Sequence, residues 1–422
     1  MKHIGIGIAF AVLTFVSALY AENFDQWVFI GNYAGAPTAE MSEHGLGSPK
    51  GIYAVSYSSE TGRLGGDLRL AAEINSPNFF ALSPDKSVLY ACIAGNETAS
   101  FKIDAETGNL TLLNRVSGKE GALGYCHVAV SPDGRILAAS DYPAGLYDFF
   151  KINPDGSIGE QFARFDRFGS GPDKKRQKSP FGHSAYFIDE GEGPVHAMLV
   201  DLGSDRVSIV DFNRDTLEMT QNPDLPELKV PAGHGCRHLD WRRNSDGSYD
   251  FFINNELMSS VTWHRVRFGD GKERKTEGEL YGTWSTLPPE FDGKVSWDQS
   301  AVEASDNLTL VSSTAETVLR KGRNGNPDTL YVSNRGHDSI AVFQIREDGK
   351  TKRLEVVQFQ TTFGRAPRYF ALDKTGDHLI VCNKRSGSIR TFCVADDGTL
   401  TPALFPPLWN PWPVALEFID KK

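Results

Sequence analysis

The feature that most constrains this chain is an internal repeat. The phrase Ala81-Leu-Ser-Pro-Asp-Lys-Ser-Val-Leu-Tyr90 returns as Ala129-Val-Ser-Pro-Asp-Gly-Arg-Ile-Leu-Ala138. It recurs more loosely as Asn326-Pro-Asp-Thr-Leu-Tyr-Val332 and Asp373-Lys-Thr-Gly-Asp-His-Leu-Ile-Val381. Self-similarity with a period of about 40 to 50 residues marks propellers and other arrays built from one recurring unit. Each copy joins two apolar runs through Pro-Asp-Gly or a similar turn, which presets the angles that reverse the chain, so each copy reads as a hairpin. A second hairpin follows in Val332-Ser-Asn-Arg-Gly-His-Asp-Ser-Ile-Ala-Val-Phe343 and Val381-Cys-Asn-Lys-Arg-Ser-Gly-Ser-Ile-Arg-Thr-Phe392. A third turn follows in Asp104-Ala-Glu-Thr-Gly-Asn-Leu110, Asn153-Pro-Asp-Gly-Ser-Ile158 and Ala395-Asp-Asp-Gly-Thr-Leu400. The unit is therefore four short antiparallel strands, and the chain reads as an all-β propeller.

Glycine (41) and proline (22) are spread along all 422 residues, which suits many strands joined by tight turns. Radial packing of such units surrounds a central channel, and the ring must be closed. The strand-like ends Trp27-Val-Phe-Ile-Gly-Asn-Tyr33 and Pro413-Val-Ala-Leu-Glu-Phe418 are expected to pair within one blade and close it. No linker interrupts the series, so residues 22–422 are expected to form one domain. Residues 270–306, polar and carrying Pro288-Pro289, read as an inserted loop, either a lid over one mouth of the channel or a surface decoration.

The formal net charge of −10 argues against nucleic acid and anionic lipid as partners. The basic run Lys174-Lys175-Arg176-Gln177-Lys178 reads as a solvated loop. At the N-terminus, Lys2, an apolar run from Ile4 to Phe15 and small residues up to Ala21 have the pattern of an export signal occupying 1–21. The expected location is periplasmic or extracellular, with no membrane attachment after cleavage. Five cysteines, Cys92, Cys126, Cys236, Cys382 and Cys393, are an odd number without CxxC spacing; mostly free, buried thiols and no metal site are expected. No G-x-S-x-G elbow, H-E-x-x-H pair or Walker loop is present, so serine-hydrolase, zincin and nucleotide-hydrolase chemistry has no motif to rest on.

Further phrases carry a resemblance: Lys50-Gly-Ile-Tyr53 followed by Glu60-Thr-Gly-Arg-Leu64, Cys126-His-Val-Ala-Val-Ser-Pro-Asp-Gly-Arg135, Asp201-Leu-Gly-Ser-Asp-Arg206, Asn255-Glu-Leu257, Ala315-Glu316 and Ser333-Asn-Arg-Gly-His-Asp-Ser339. Over nearly the whole mature chain the sequence resembles the lactonase family of propellers that includes 6-phosphogluconolactonase and carboxymuconate cyclase. That resemblance implies seven blades, opening or forming of a lactone, and no tightly bound cofactor. It implies a site at one mouth of the channel gathering His183, Arg237, Glu256 and Arg335.

Lactone opening needs a nucleophilic water and a partner for the developing oxyanion. His183 or an ionised Glu256 suits the base, and the forked donors of Arg237 and Arg335 suit the oxyanion or an anionic part of the substrate. A purely structural ion pair between Arg335 and Glu256 is the competing reading. His127, His238, His337 and Glu316 stand beside the same phrases as further substrate-binding candidates. The expected ligand is a small lactone or sugar acid and the expected state is a monomer; a non-catalytic binding propeller and a lactone-forming cyclase remain open alternatives.

Overall fold

The computed structural model describes residues 22–269, 274–292, 294–295, 311–349 and 351–422. The region read as an export signal lies outside them. The strands assemble into seven sheets, each a blade with a core of four antiparallel strands, and the described residues contain one short helix, Ala39–Glu43. Blades are numbered here from their innermost strands: Phe79–Leu82 (blade 1), Tyr125–Val130 (2), Gly182–Ile188 (3), Cys236–Arg243 (4), Val311–Arg320 (5), Pro367–Leu372 (6) and Pro413–Asp420 (7). The remaining strands of blade 7 come from the other end of the chain. Gln26–Asn32 pairs antiparallel with Pro413–Asp420, from Gln26 opposite Asp420 to Asn32 opposite Pro413, which is the expected closure of the ring. It removes the two open edges that would otherwise be left unpaired.

The apolar core is annular rather than central. Seven buried clusters correspond to the seven junctions between neighbouring blades. At the junction of blades 1 and 2, for example, Val88 and Tyr90 pack against Leu137, Ala139 and Phe150. Second strands such as Val88–Ile93 and Thr329–Arg335 are buried along their whole length, because each is covered on both faces by a neighbouring blade. Their continuous apolar runs, and not an in-out alternation, follow from this. Toward the axis, histidines and aromatic rings from different blades meet, Phe79 touching His127, His238 and Tyr369.

Part of the expected insertion at 270–306 is a blade element. Glu277–Ser285 pairs with Ser260–Arg267 as the outermost strand of blade 4. Its residues are exposed or half-buried, and an edge strand with one wet face and two glycines carries little of the apolar pattern that marks inner strands. Beyond it, Thr286 donates through Oγ1 to Asn334 Oδ1 (2.7 Å), and 294–295 pair parallel with 311–312. Residues 270–273, 293 and 296–310 of the expected lid lie outside the described residues. All five cysteines are unpaired; Cys92, Cys236 and Cys382 are buried.

Candidate functional site

With four antiparallel strands per blade, each connection to the next blade runs over the same face of the ring, so the innermost strands all begin at one mouth of the channel. Near that mouth six of them carry a β-bulge; in blade 7 it frees the apolar Val414, between Pro413 and Ala415, and the other five bear on the site. The register slips between Tyr125 and His127, Gly182 and Ser184, Cys236 and His238, Thr314 and Thr317, and Pro367 and Tyr369. A bulge frees one residue from the ladder and re-aims its side chain. The freed residues are Cys126, His183, Arg237, the pair Ala315-Glu316, and Arg368. A device repeated at one height around the ring thus delivers a histidine and two arginines toward the axis.

A second ring of residues follows the ends of the second strands. Six of the seven carry a buried Asn or Asp at their last residue or, in blade 5, one before it: Asn32, Asp141, Asp201, Asn255, Asn334 and Asn383. Several of these side chains tie the hairpin to the segment entering the same blade. Asp141 accepts from the amides of Leu123 and Gly124, Asp201 from Phe181, and Asn383 donates to the Thr362 carbonyl. Four of the residues that follow these anchors, Tyr33, Tyr142, Glu256 and Arg335, line one cavity of about 370 Å³ at the mouth. Asn78, Arg176, His183 and Arg368 complete its polar wall.

Glu256 is the centre of an ion cluster. Its carboxylate lies 2.7 Å from Arg176 Nη2, 3.0 Å from Arg237 Nε and 3.1 Å from Arg335 Nη2, with His183 Nε2 at 4.0 Å. The Arg237 contact is coulombic and not a linear hydrogen bond, since Arg237 Nε has no hydrogen-bond partner among the described residues. Although burial opposes ionisation, the charges of Arg335, Arg176 and Arg237 hold the Glu256 carboxyl far below the usual carboxylate range. Burial pulls the Arg335 guanidinium down to about 10, still protonated at neutral pH.

Arg368 lies over the Tyr33 ring at 4.9 Å and donates to its hydroxyl; among the described residues it makes no ion pair. Four guanidinium groups therefore surround one carboxylate. The site is locally cationic in a chain whose net charge is −10, and an anion would balance it.

The sequence reading brought His183, Arg237, Glu256 and Arg335 together, and so does the fold. It missed Arg176, Tyr33, Tyr142, Asn78 and Arg368. The run containing Arg176 is not simply a solvated loop: Gln177 is fully buried, donating to the Leu202 carbonyl (2.9 Å) and to Asp205 (2.8 Å), and this places Arg176 on Glu256 and on the Tyr142 hydroxyl (2.8 Å). Arg368 and Asn78 were legible in principle. Each lies three residues before an alanine, Ala81 at the start of the repeat phrase and Ala371 at the equivalent place two residues before Asp373, as Cys126 does before Ala129.

The other candidates sit elsewhere. His127, His238 and Glu316 lie deeper in the channel: His127 packs on Phe79 with ring centroids 4.1 Å apart, and His238 Nδ1 is 2.9 Å from both oxygens of Glu316. His337 is apart from the cavity wall, half-buried in the outer hairpin, where its Nδ1 meets Ser339 Oγ at 2.7 Å and its ring meets Phe291. No group of three or more His, Cys, Asp or Glu among the described residues is arranged to hold a metal ion.

Channel burial has a measurable consequence. It raises the carboxyl of Glu316 to about 8, of Asp240 to about 7 and of Glu417 to about 7. Each keeps its proton in the fold at a pH where an unfolded carboxyl, with a pKa of about 4, has lost it. The folded state then binds more protons than the unfolded, so stability falls as pH rises through these values. The imidazoles of His127, His183 and His238, pushed well below their usual value by burial, act in the opposite sense. They do so only below about pH 6.5, where unfolded histidine takes up protons. The expected result is maximal stability near pH 6.5 and a lower urea midpoint by about pH 8.5; equal midpoints at those two values would mean that the channel carboxyls are solvated.

Comparison with known proteins agrees with this architecture. The family model "Lactonase, 7-bladed beta-propeller" matches residues 28–407. A 6-phosphogluconolactonase of Bacillus subtilis is 26% identical over 381 residues, covering 89% of this chain and 96% of that protein. A 6-phosphogluconolactonase of Formosa agariphila is 28% identical over 352 residues, covering 81% and 88%. The solved structure of a periplasmic gluconolactonase from Pseudomonas aeruginosa superposes with a TM-score of 0.73 at 22% identity, covering 94% of this chain and 99% of that one.

Proposed function

The chain belongs to the seven-bladed β-propeller lactonase family, and we propose that it is an exported hydrolase that opens an anionic sugar lactone, of the 6-phosphogluconolactone kind, in the cavity around Glu256. The observation that carries the reading is the excess of guanidinium over carboxylate in a mouth that also holds a neutral imidazole. Burial and the charges of Arg237 and Arg368 keep His183 unprotonated, so it is able to take a proton from water. Its Nε2 lies on the Glu256 side, 4.0 Å from the carboxylate. Glu256 itself is too weak a base, being held ionised by three cations; its charge instead favours the imidazolium as that forms. Water attacks the lactone carbonyl, His183 takes the proton, and Arg335 on the cavity wall faces the oxyanion, with the charge of Arg237 behind Glu256 adding to it. Collapse breaks the ring C–O bond, and the imidazolium returns the proton to the leaving alkoxide.

The test is base uptake by the purified chain at constant pH on a panel that includes glucono-δ-lactone and its 6-phosphate, beside His183→Asn. Turnover that is faster with the phosphorylated lactone and lost in the variant is expected. Binding of the sugar acids without turnover would instead make this a binding propeller.

Export is part of the same reading. Among the described residues no helix is long and apolar enough to cross a membrane. Glu22, the first of them, is held to the fold by Thr61 (2.6 Å) and Arg63 (2.7 Å). Cleavage after Ala21 would leave this anchor in place. The mass of the protein recovered outside the cytoplasm is expected to correspond to a chain starting at Glu22; recovery with Met1 retained, in the cytoplasmic fraction, would contradict export.

A further inference from the structure

Behind His183 the channel holds a second pair of titratable groups that lactone opening as described leaves unused. The His238 ring stands 5.1 Å from the His183 ring, centroid to centroid, at 70°. Its Nδ1 is taken by Glu316, 2.9 Å away. Two polar atoms are left over: His183 Nδ1 and His238 Nε2 are both buried and have no hydrogen-bond partner among the described residues. Orphaned buried nitrogens are costly, and these two sit on adjacent rings with centroids 5.1 Å apart and no direct bond between them, near enough for one bridging water or a small ring rotation to join them. Glu316 is fixed by its own strand, its amide donating to Ser333 Oγ (2.9 Å) and Oε1 accepting from the Thr317 amide (3.0 Å).

We propose that Glu316 and His238 form a positioning relay behind His183, in which the Glu316 proton decides which nitrogen of His183 carries hydrogen. When Glu316 is a carboxylate, His238 Nδ1–H donates to it. His238 Nε2 then accepts from His183 Nδ1–H, and His183 Nε2, on the Glu256 side, keeps a lone pair and serves as the base. When Glu316 takes up one proton, its O–H donates to His238 Nδ1. His238 Nε2–H then donates to His183 Nδ1, and the hydrogen of His183 stands on Nε2, where it cannot accept another. The tautomer of a histidine is set by the bond its other nitrogen makes.

The groups facing the pair account for where it switches. Arg237 beside it on blade 4 and Arg368 from blade 6 favour the carboxylate; burial and Asp240 favour the acid. Burial keeps Tyr186 of blade 3 and Tyr369 of blade 6 as neutral hydroxyls within reach of the Glu316 charge. Glu256 and Arg335 act on His238 from the mouth, and His127 flanks its ring at 5.4 Å. With the carboxyl raised to about 8, the base form grows as pH passes from neutral to mildly alkaline.

The kinetic consequence rests on the lactonase reading, but the tautomer does not, so the two are tested separately. In protein with 15N-labelled histidine, with His183 assigned through His183→Asn, the hydrogen on His183 is expected to move from Nε2 to Nδ1 between about pH 6.5 and about pH 9. It should stay put in Glu316→Gln and in His238→Phe, whose ring keeps the packing if the first variant fails to fold. Across the same range kcat/KM, corrected for spontaneous hydrolysis, should rise about thirtyfold in the parent and less than about twofold in a folded variant, with KM little changed. The same tautomer shift in parent and variants overturns the relay, even if activity has fallen, because a merely structural role would lower activity without altering the pH response. A parent that shows the shift but hydrolyses no lactone leaves the relay standing and removes the function.

Discussion

Glu256→Ala is expected to cost about 3–5 kcal/mol of folding stability and all measurable turnover. Removing one partner of a buried ion pair leaves the other charge desolvated and uncompensated, which costs about that much. Here one carboxylate compensates Arg176, Arg237 and Arg335. Glu256 is 4% exposed and Arg237 2%, so water cannot readily take over. Glu256→Gln keeps the shape and removes the charge, and should cost nearly as much. Urea unfolding checks the stability and base uptake on a lactone checks the turnover. A loss below about 1 kcal/mol would place the cluster among exposed ion pairs, whose net contribution is small. Because the Glu256 carboxyl is held far below its usual range, its contribution is present above about pH 4 and is lost as the pH falls toward the folded value.

Arg335→Ala is expected to behave oppositely, lowering kcat by 10²- to 10³-fold, about 2.7–4 kcal/mol of barrier, with little loss of stability. The charge count is the reason. Arg335 is one of four guanidinium groups around one carboxylate, and the neighbouring cations Arg237, Arg368 and Arg176 already oppose its charge. Removing it relieves that repulsion while losing a contact of 3.1 Å to Glu256 and a bond of 2.7 Å to the Thr314 carbonyl. If Arg335 were only a strut between blades, the folded variant would turn over normally and unfold early. Arg335→Lys restores a charge without the planar fork and should recover only part of the rate.

The distribution of legible and hidden residues follows the physics of the blade. Pro-Asp-Gly turns, second strands buried on both faces and the complementary end strands 26–32 and 413–420 are local or pairwise patterns, and they carry the repeat, the four-strand unit and the ring closure. The outermost strand Glu277–Ser285 escaped because one wet face and two glycines remove the apolar signal from an edge. His183, Arg237, Glu256 and Arg335 were reached through family phrases. His337, beside the same phrase as Arg335, turned out to face the outer hairpin and Phe291.

By itself, then, the sequence determined a closed all-β ring of four-stranded units, because turn chemistry and strand pattern are written in consecutive residues. Only the tertiary structure decided which side chains meet. Residues 183, 237, 256, 335 and 368 come from four blades and residue 176 from the segment entering blade 3, and what unites them is the common height of the bulges and hairpin ends once the ring is shut. A one-residue slip in a strand turns a side chain to the opposite face. Bulges such as those at His183, Arg237 and Arg368 are therefore what separates a cationic cavity from a row of outward-facing arginines.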